Sequence, residues 1–103
     1  MKIKILSSAM EDLTDGRLFY EKQGQGLGEY FFNSLFSDID SLTLYAGIHP
    51  IFFGYYRLLS KRFPFAIYYK IEKDKTIIVW RILDLRRDPK KLKQAITFGK
   101  KIK

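Results

Sequence analysis

A chain of 103 residues, 47% of them apolar, can build one compact hydrophobic core and is too short for two. The absence of cysteine excludes disulfides and thiolate metal sites and is compatible with a reducing compartment. The net charge of +8 is uneven: residues 1–52 carry four Lys/Arg against seven Asp/Glu, and residues 53–103 carry fifteen against four. The second half therefore calls for an anionic partner, whether nucleic acid, an acidic protein or a membrane surface.

The chain opens with Lys2 to Leu6 alternating charged and apolar residues, the period of a half-buried strand. It lacks the apolar run and cleavage site of a signal peptide, and no apolar run reaches the roughly 18–20 residues that span a bilayer. The expected location is the cytoplasm. Ser8 and Glu11 have the spacing of a capping box, which predicts a helix with Ala9, Leu13, Gly16 and Tyr20 on one face. Gln23-Gly24-Gln25-Gly26 ends it, glycine being at ease in the left-handed conformation. A second helix is predicted from Leu27 to Ala46, because Phe31, Leu35, Ile39, Leu42 and Ala46 recur at spacings of three and four. Gly47 stops it, and Ile48 to Gly54 reads as an apolar connection.

From Tyr55 the period becomes alternating. Tyr55–Ser60, Phe65–Glu72 and Thr76–Asp84 read as strands, the last two joined by a tight turn at Lys73-Asp74-Lys75. Pro64 has no amide hydrogen and belongs at a strand edge. Asp88-Pro89 looks like an N-cap followed by proline at the first helical position. The residues after it form a short apolar stripe, Leu92 and Ile96, on a strongly basic background. A loosely docked helix or tail is expected there, extending to Lys100, Lys101 and Lys103. The order is β-α-α-β-β-β-(α), an α+β fold. A helical hairpin packs on one face of a mostly antiparallel four-stranded sheet, and one domain spans residues 1–103.

Several enzyme signatures fail. Gly24-Gln25-Gly26-Leu27-Gly28 has no strand before it and no following lysine, so it is a helix-to-helix turn rather than a phosphate loop. His49 is the only histidine, with no second histidine or cysteine to complete a metal site and no nucleophile elbow to serve. No metal or cofactor is expected. The carboxylates fall on predicted solvent faces of the helices, away from paired acid–base work. What remains is a basic sheet: Arg57, Lys61, Arg62, Arg81, Arg86 and Arg87 are expected on one side, where guanidinium groups bind phosphate. Tyr55, Tyr56, Tyr68 and Tyr69 either stack on unpaired bases or fill the sheet faces. Alternation places Arg81 with Ile77, Val79 and Leu83, so it needs an acidic partner, either Asp84 or a residue from a helix.

The order of these elements resembles the RelE/ParE superfamily of type II toxin–antitoxin toxins over nearly the whole chain. The resemblance runs through Gly47-Ile48-His49-Pro50, Tyr56-Arg57-Leu58-Leu59, Phe63-Pro64-Phe65-Ala66-Ile67-Tyr68-Tyr69 and Arg86-Arg87-Asp88-Pro89. The Phe-Pro strand and the closing Arg-Asp-Pro look most like the ParE-type, or plasmid-stabilisation, branch. For the ribonuclease branch, which cleaves mRNA on the ribosome, the resemblance implies five functional positions. Here Arg57 and Arg86 keep basic side chains, while Leu59, Ala66 and Leu92 cannot carry a proton or hold a phosphate. The ParE branch implies a growth-inhibiting poison of DNA gyrase, neutralised by a cognate antitoxin whose acidic segment folds across the sheet. The expected target- or antitoxin-binding residues are Arg57, Arg62, Arg86, Arg87, Lys90, Lys91 and Lys93. A ribosome-dependent endoribonuclease and a non-toxic relative that only binds a partner are the alternatives. Both a homodimer and a toxin–antitoxin hetero-oligomer are open.

Overall fold

The computed structural model describes residues 2–98. Strand β1 (Ile3–Ile5) leads into helices α1 (Ser7–Gln23), α2 (Leu27–Asp40) and α3 (Leu42–Tyr45). Strands β2 (Ile51–Phe52), β3 (Tyr55–Leu59), β4 (Phe65–Ile71) and β5 (Ile77–Asp84) follow, then helix α4 (Pro89–Phe98). The sheet order is β1-β5-β4-β3-β2, with β1 parallel to β5 and the other pairs antiparallel. The sheet is therefore five-stranded, not four-stranded. The extra strand, β2, comes from the apolar connection: Phe53 and Gly54 both take positive φ (55° and 85°), the geometry of a two-residue hairpin turn. A phenylalanine in that conformation gives no turn signal to read.

The α1–α2 hairpin covers one face. Leu13, Phe31, Leu35, Ile39, Ile67, Tyr69, Ile77, Val79 and Ile82 form its core, each at most 1% exposed. The helices approach closely at two glycines. A Cβ on Gly16 would lie 2.5 Å from the Phe31 ring, and one on Gly28 would lie 2.6 Å from the Arg17 carbonyl oxygen. The Glu21 carboxylate accepts hydrogen bonds from the Gly26 and Gly28 amides (3.2 and 3.0 Å), so the start of α2 is satisfied from within the chain. Gly26 supplies the left-handed residue of this turn (φ 85°), whereas Gly24 is extended.

The predicted second helix breaks at Ser41, whose hydroxyl donates to the Asp38 carbonyl (2.6 Å), a local bond that competes with the helical ladder. The predicted capping box does not form. The N-cap residue of α1 is Leu6, without a side-chain cap, and the Ser8 hydroxyl instead donates to the Trp80 carbonyl (2.8 Å). The reason lies in the sheet. β1 pairs with β5 only along Ile77–Val79, and beyond it the polar groups of β5 need other partners. Ser8 takes the Trp80 carbonyl, and the Asp12 carboxylate accepts from the Ile82 amide (2.9 Å). Two residues one helical turn apart thus continue the strand ladder.

Asp12 also receives Arg81, through Nε (2.7 Å) and Nη2 (2.9 Å), with Arg81 1% and Asp12 4% exposed. The expectation that the helix carboxylates face solvent fails at Asp12 and again at Asp38, which is buried and accepts from the Ser60 hydroxyl (2.7 Å). Of the residues alternation grouped with it, Arg81 keeps Leu83 on its face but not Ile77 and Val79. A bulge pairs Tyr68 with Arg81 and Tyr69 with Val79, leaving Trp80 as the extra residue. Ile82 then joins Ile77 and Val79 under the hairpin, while Leu83 turns to the opposite face.

On that opposite face α4 packs through Leu92, Ala95 and Ile96 against Ala66, Tyr68 and Leu83. Its last turn is held by side chains from β5: Arg81 Nη1 donates to the Ala95 carbonyl (3.2 Å) and Trp80 Nε1 to the Ile96 carbonyl (2.9 Å). A cation at the C-terminal end of a helix also complements the helix dipole. Through Phe98 the segment is thus a docked helix rather than a tail. Lys100, Lys101 and Lys103 lie outside the described residues. Among the described residues no helix is long and apolar enough to cross a membrane.

Candidate functional site

The basic residues singled out by sequence fall into two groups rather than one. The first lies on the sheet face away from the α1–α2 hairpin. Arg57 on β3 stands opposite Tyr68 on β4, and Leu59 stands opposite Ala66. The Arg57 guanidinium lies 3.7 Å from the centre of the Phe52 ring, a cation–π contact. Its Nε is buried and has no hydrogen-bond partner. Further along, Lys70 Nζ lies 4.5 Å from the centre of the Tyr55 ring, which stacks on Trp80 at 5.9 Å. Burial raises the Tyr68 phenol above its usual pKa, opposed by the neighbouring Arg57 charge.

The second group lies at the end of β5. Arg86 donates through Nη2 (2.7 Å) and Nε (3.0 Å) to the two oxygens of Asp84 and reaches the Tyr20 hydroxyl of α1 (3.4 Å). The Leu85 amide donates to the Pro64 carbonyl (2.8 Å), bringing the Ser60–Pro64 connection, with exposed Lys61 and Arg62, to the same end. Phe63 packs on Tyr20 and Phe31 with ring centres 4.8 and 5.0 Å apart, anchoring that connection. Arg87, Lys90, Lys91 and Lys93 are exposed, and the Asp88 carboxylate accepts from the Lys90 amide (2.9 Å) as an N-cap does.

The structure therefore brings Arg62, Arg86 and Arg87 together, and places Arg57 on the opposite layer of the sheet. Arg81, expected among them, is buried in its pair with Asp12. Of the tyrosines, Tyr55 and Tyr68 share the Arg57 face, whereas Tyr56 stacks on Tyr69 (5.1 Å) on the hairpin side. His49 Nδ1 meets the Tyr69 hydroxyl, which accepts from the Gly47 amide (2.9 Å). Sequence reasoning passed over Phe52 and Lys70. Lys70 was legible, being two residues from Tyr68 on an alternating strand, but Phe52 sat in a segment with no visible strand.

A family model for the ParE toxin of the type II toxin–antitoxin system parDE matches residues 3–89. The chain belongs to the ParE toxin family. Membership makes it the toxin of a type II pair and implies an antitoxin partner. A solved structure described as the chromosomal ParDE TA system from P. aeruginosa is similar in fold. Its TM-score is 0.69 at 21% identity, covering 82% of this chain and 96% of that one. Comparison with curated proteins found no match.

In this ParE-family chain, the positions matched to the ribonuclease branch do not form a cluster of charges. Leu59 is 51% exposed on the Arg57 face, Ala66 is buried beneath α4, Leu92 is buried on the inner side of α4 itself, and Arg86 sits on the α1 side. The pairing of Arg86 has a pH signature. Burial pushes the Asp84 carboxyl up, but hydrogen bonds from the Arg86 side chain and amide, with the Arg86 and Arg87 charges, together hold it below its usual value. A depressed folded pKa contributes stability that is present above the unfolded value, about 3.9, and lost as pH falls through the lower folded one. Asp84→Asn is expected to be less stable than the parent at pH 7, with the gap closing below about pH 4. Urea unfolding across pH 2–7 checks this, and a gap independent of pH would refute it.

Proposed function

We propose that this chain is a single-domain cytoplasmic toxin, residues 1–103, that inhibits DNA gyrase without enzymatic chemistry of its own. A cognate antitoxin neutralises it in a toxin–antitoxin hetero-oligomer by laying an acidic segment over the sheet. The observation carrying the reading is the apolar occupancy of the nuclease positions. Leu59, Ala66 and Leu92 stand where that chemistry needs proton carriers and phosphate ligands. Arg62, Arg86, Arg87, Lys90, Lys91 and Lys93 supply the gyrase-facing surface, all exposed at or beyond the end of β5.

The test is a supercoiling assay with purified protein and gyrase at micromolar concentration, paired with induced expression in cells. Inhibition of supercoiling and growth arrest are expected. The Arg86→Ala/Arg87→Ala double variant should need at least about tenfold more protein, since each charged hydrogen bond is worth about 1.5–3 kcal/mol. Unchanged supercoiling, together with mRNA cleavage in toeprints of translated message, would replace this reading with a ribosome-dependent endoribonuclease.

A further inference from the structure

Residues 41–56 contain no Asp, Glu, Lys or Arg, the longest such run in a chain whose net charge is +8. The run builds α3, the connection after it and β2, which is a free edge of the sheet. Leu44, Tyr45, Ile48, Ile51 and Phe53 are all exposed, from 49% at Phe53 to 79% at Leu44. Short contacts hold them near one another. The Ile48 amide donates to the Tyr45 carbonyl (3.3 Å) and the Gly47 amide to the Tyr69 hydroxyl (2.9 Å). Tyr69 stacks on Tyr56, whose partner across the strands is Ile51, so Ile51 lies on the same side of the sheet as α3. The strand edge is open as well. The Pro50 carbonyl accepts from the Arg57 amide (2.9 Å), and alternation along β2 then turns the amide and carbonyl of Ile51 outward. Large apolar side chains beside an open edge are a template for pairing with another chain.

We infer that β2 and the uncharged rim beside it form a two-fold contact with a second copy of this chain, Ile51 meeting Ile51 across the axis and the two sheets joining edge to edge. This goes beyond the toxin reading and does not depend on it. Charge selects the partner. An acidic segment, a nucleic acid or an anionic membrane finds no cation within the run, and is drawn instead to the cations at the end of β5. A second copy carries the same net positive charge and approaches best through a surface that has none. A two-fold axis sets like against like, which suits an apolar rim and an antiparallel edge: each Ile51 amide donates to the other's carbonyl. At about 200 Å² for a large residue fully exposed, the five side chains offer on the order of 600 Å² per copy. Two copies then remove about 1,200 Å² from water, where specific interfaces begin.

The test is sedimentation equilibrium of the full chain from micromolar to millimolar concentration, at low and high salt. A dimer is expected, tightened by salt because screening weakens the repulsion between two basic copies. Ile51→Lys should weaken dimerisation by at least about tenfold, since it sets two like charges against each other at the axis. Leu18→Lys makes the same charge change on α1 at a residue of similar exposure, 58% against 62%, and should leave the dimer in place. Thermal unfolding checks that both variants are folded. Exchange of the Ile51 amide should slow at concentrations where the dimer forms. A chain that stays monomeric to millimolar concentration would overturn the inference, as would a dimer that Ile51→Lys leaves intact or Leu18→Lys weakens equally. A dimer loosened by salt would also overturn it, showing a head-to-tail contact between the acidic helices and the basic end of β5. A chain that dimerises in this way but leaves supercoiling unchanged overturns the gyrase reading alone.

Discussion

Asp12→Ala is expected to destabilise the protein by about 3–5 kcal/mol, the cost of leaving one member of a buried ion pair without the other. That is a large part of the 5–15 kcal/mol typical of a whole domain. Three consequences of the substitution act together. Arg81, 1% exposed, keeps its bond to the Ala95 carbonyl but loses both bonds to the carboxylate. The Ile82 amide loses its acceptor, so the β5 ladder is open beyond the end of β1. The seat of α4 is also disturbed, because Arg81 is the bridge between α1 and the last turn of α4. Urea unfolding of the single variant measures the first effect, and amide exchange in residues 92–98 measures the last. Replacing both partners by apolar residues, Asp12→Leu with Arg81→Met, should recover most of the loss, because no charge is then left buried. A single-variant loss below about 1 kcal/mol would show that the pair is dispensable.

Phe31→Ala is expected to cost about 3–5 kcal/mol, the range for removing a fully buried aromatic side chain. Phe31 is 0% exposed, and its ring centre lies 4.9–5.0 Å from those of Tyr20, Phe63 and Phe65. The cavity would open where Gly16 has no Cβ, the position whose side chain the Phe31 ring replaces. Gly16→Ala should therefore be destabilising alone, since its Cβ would meet the ring at 2.5 Å, and better tolerated on the Phe31→Ala background. If the two effects simply add, this packing account is wrong. A functional effect follows through Phe63, which rests on Phe31 and holds the connection bearing Arg62. The double variant should show faster amide exchange over residues 60–64 than the parent.

Most elements were legible because their periods are unambiguous. Phe31, Leu35 and Ile39 recur at helical spacing, and the β4 and β5 runs alternate between turn signals. The errors share a cause. β2 exists because a hairpin turn places Phe53 at positive φ, a conformation its side chain disfavours and sequence does not announce. The break at Ser41 accompanies a hydroxyl that bonds the Asp38 carbonyl rather than solvent. The faces of Leu83 and Arg81 depended on a one-residue bulge, after which a strict period of two assigns the wrong side.

The sequence by itself determined the α+β class, the helical hairpin, the basic second half and the family, all of which follow from local periods and the order of motifs. Only the tertiary structure decided which charges are structural and which are offered to a partner. Asp12 and Asp38 look like surface charges in the chain and are buried in the fold: Asp12 completes the β5 edge that β1 is too short to satisfy and is the helix acid that Arg81 needs, and Asp38 accepts from Ser60. Arg57 and Arg86 look like members of one basic surface and stand on opposite layers of the sheet. The physical reason is that burial and pairing depend on contacts between residues far apart in the chain. Asp12 and Arg81 are 69 positions apart, and no local pattern encodes their meeting.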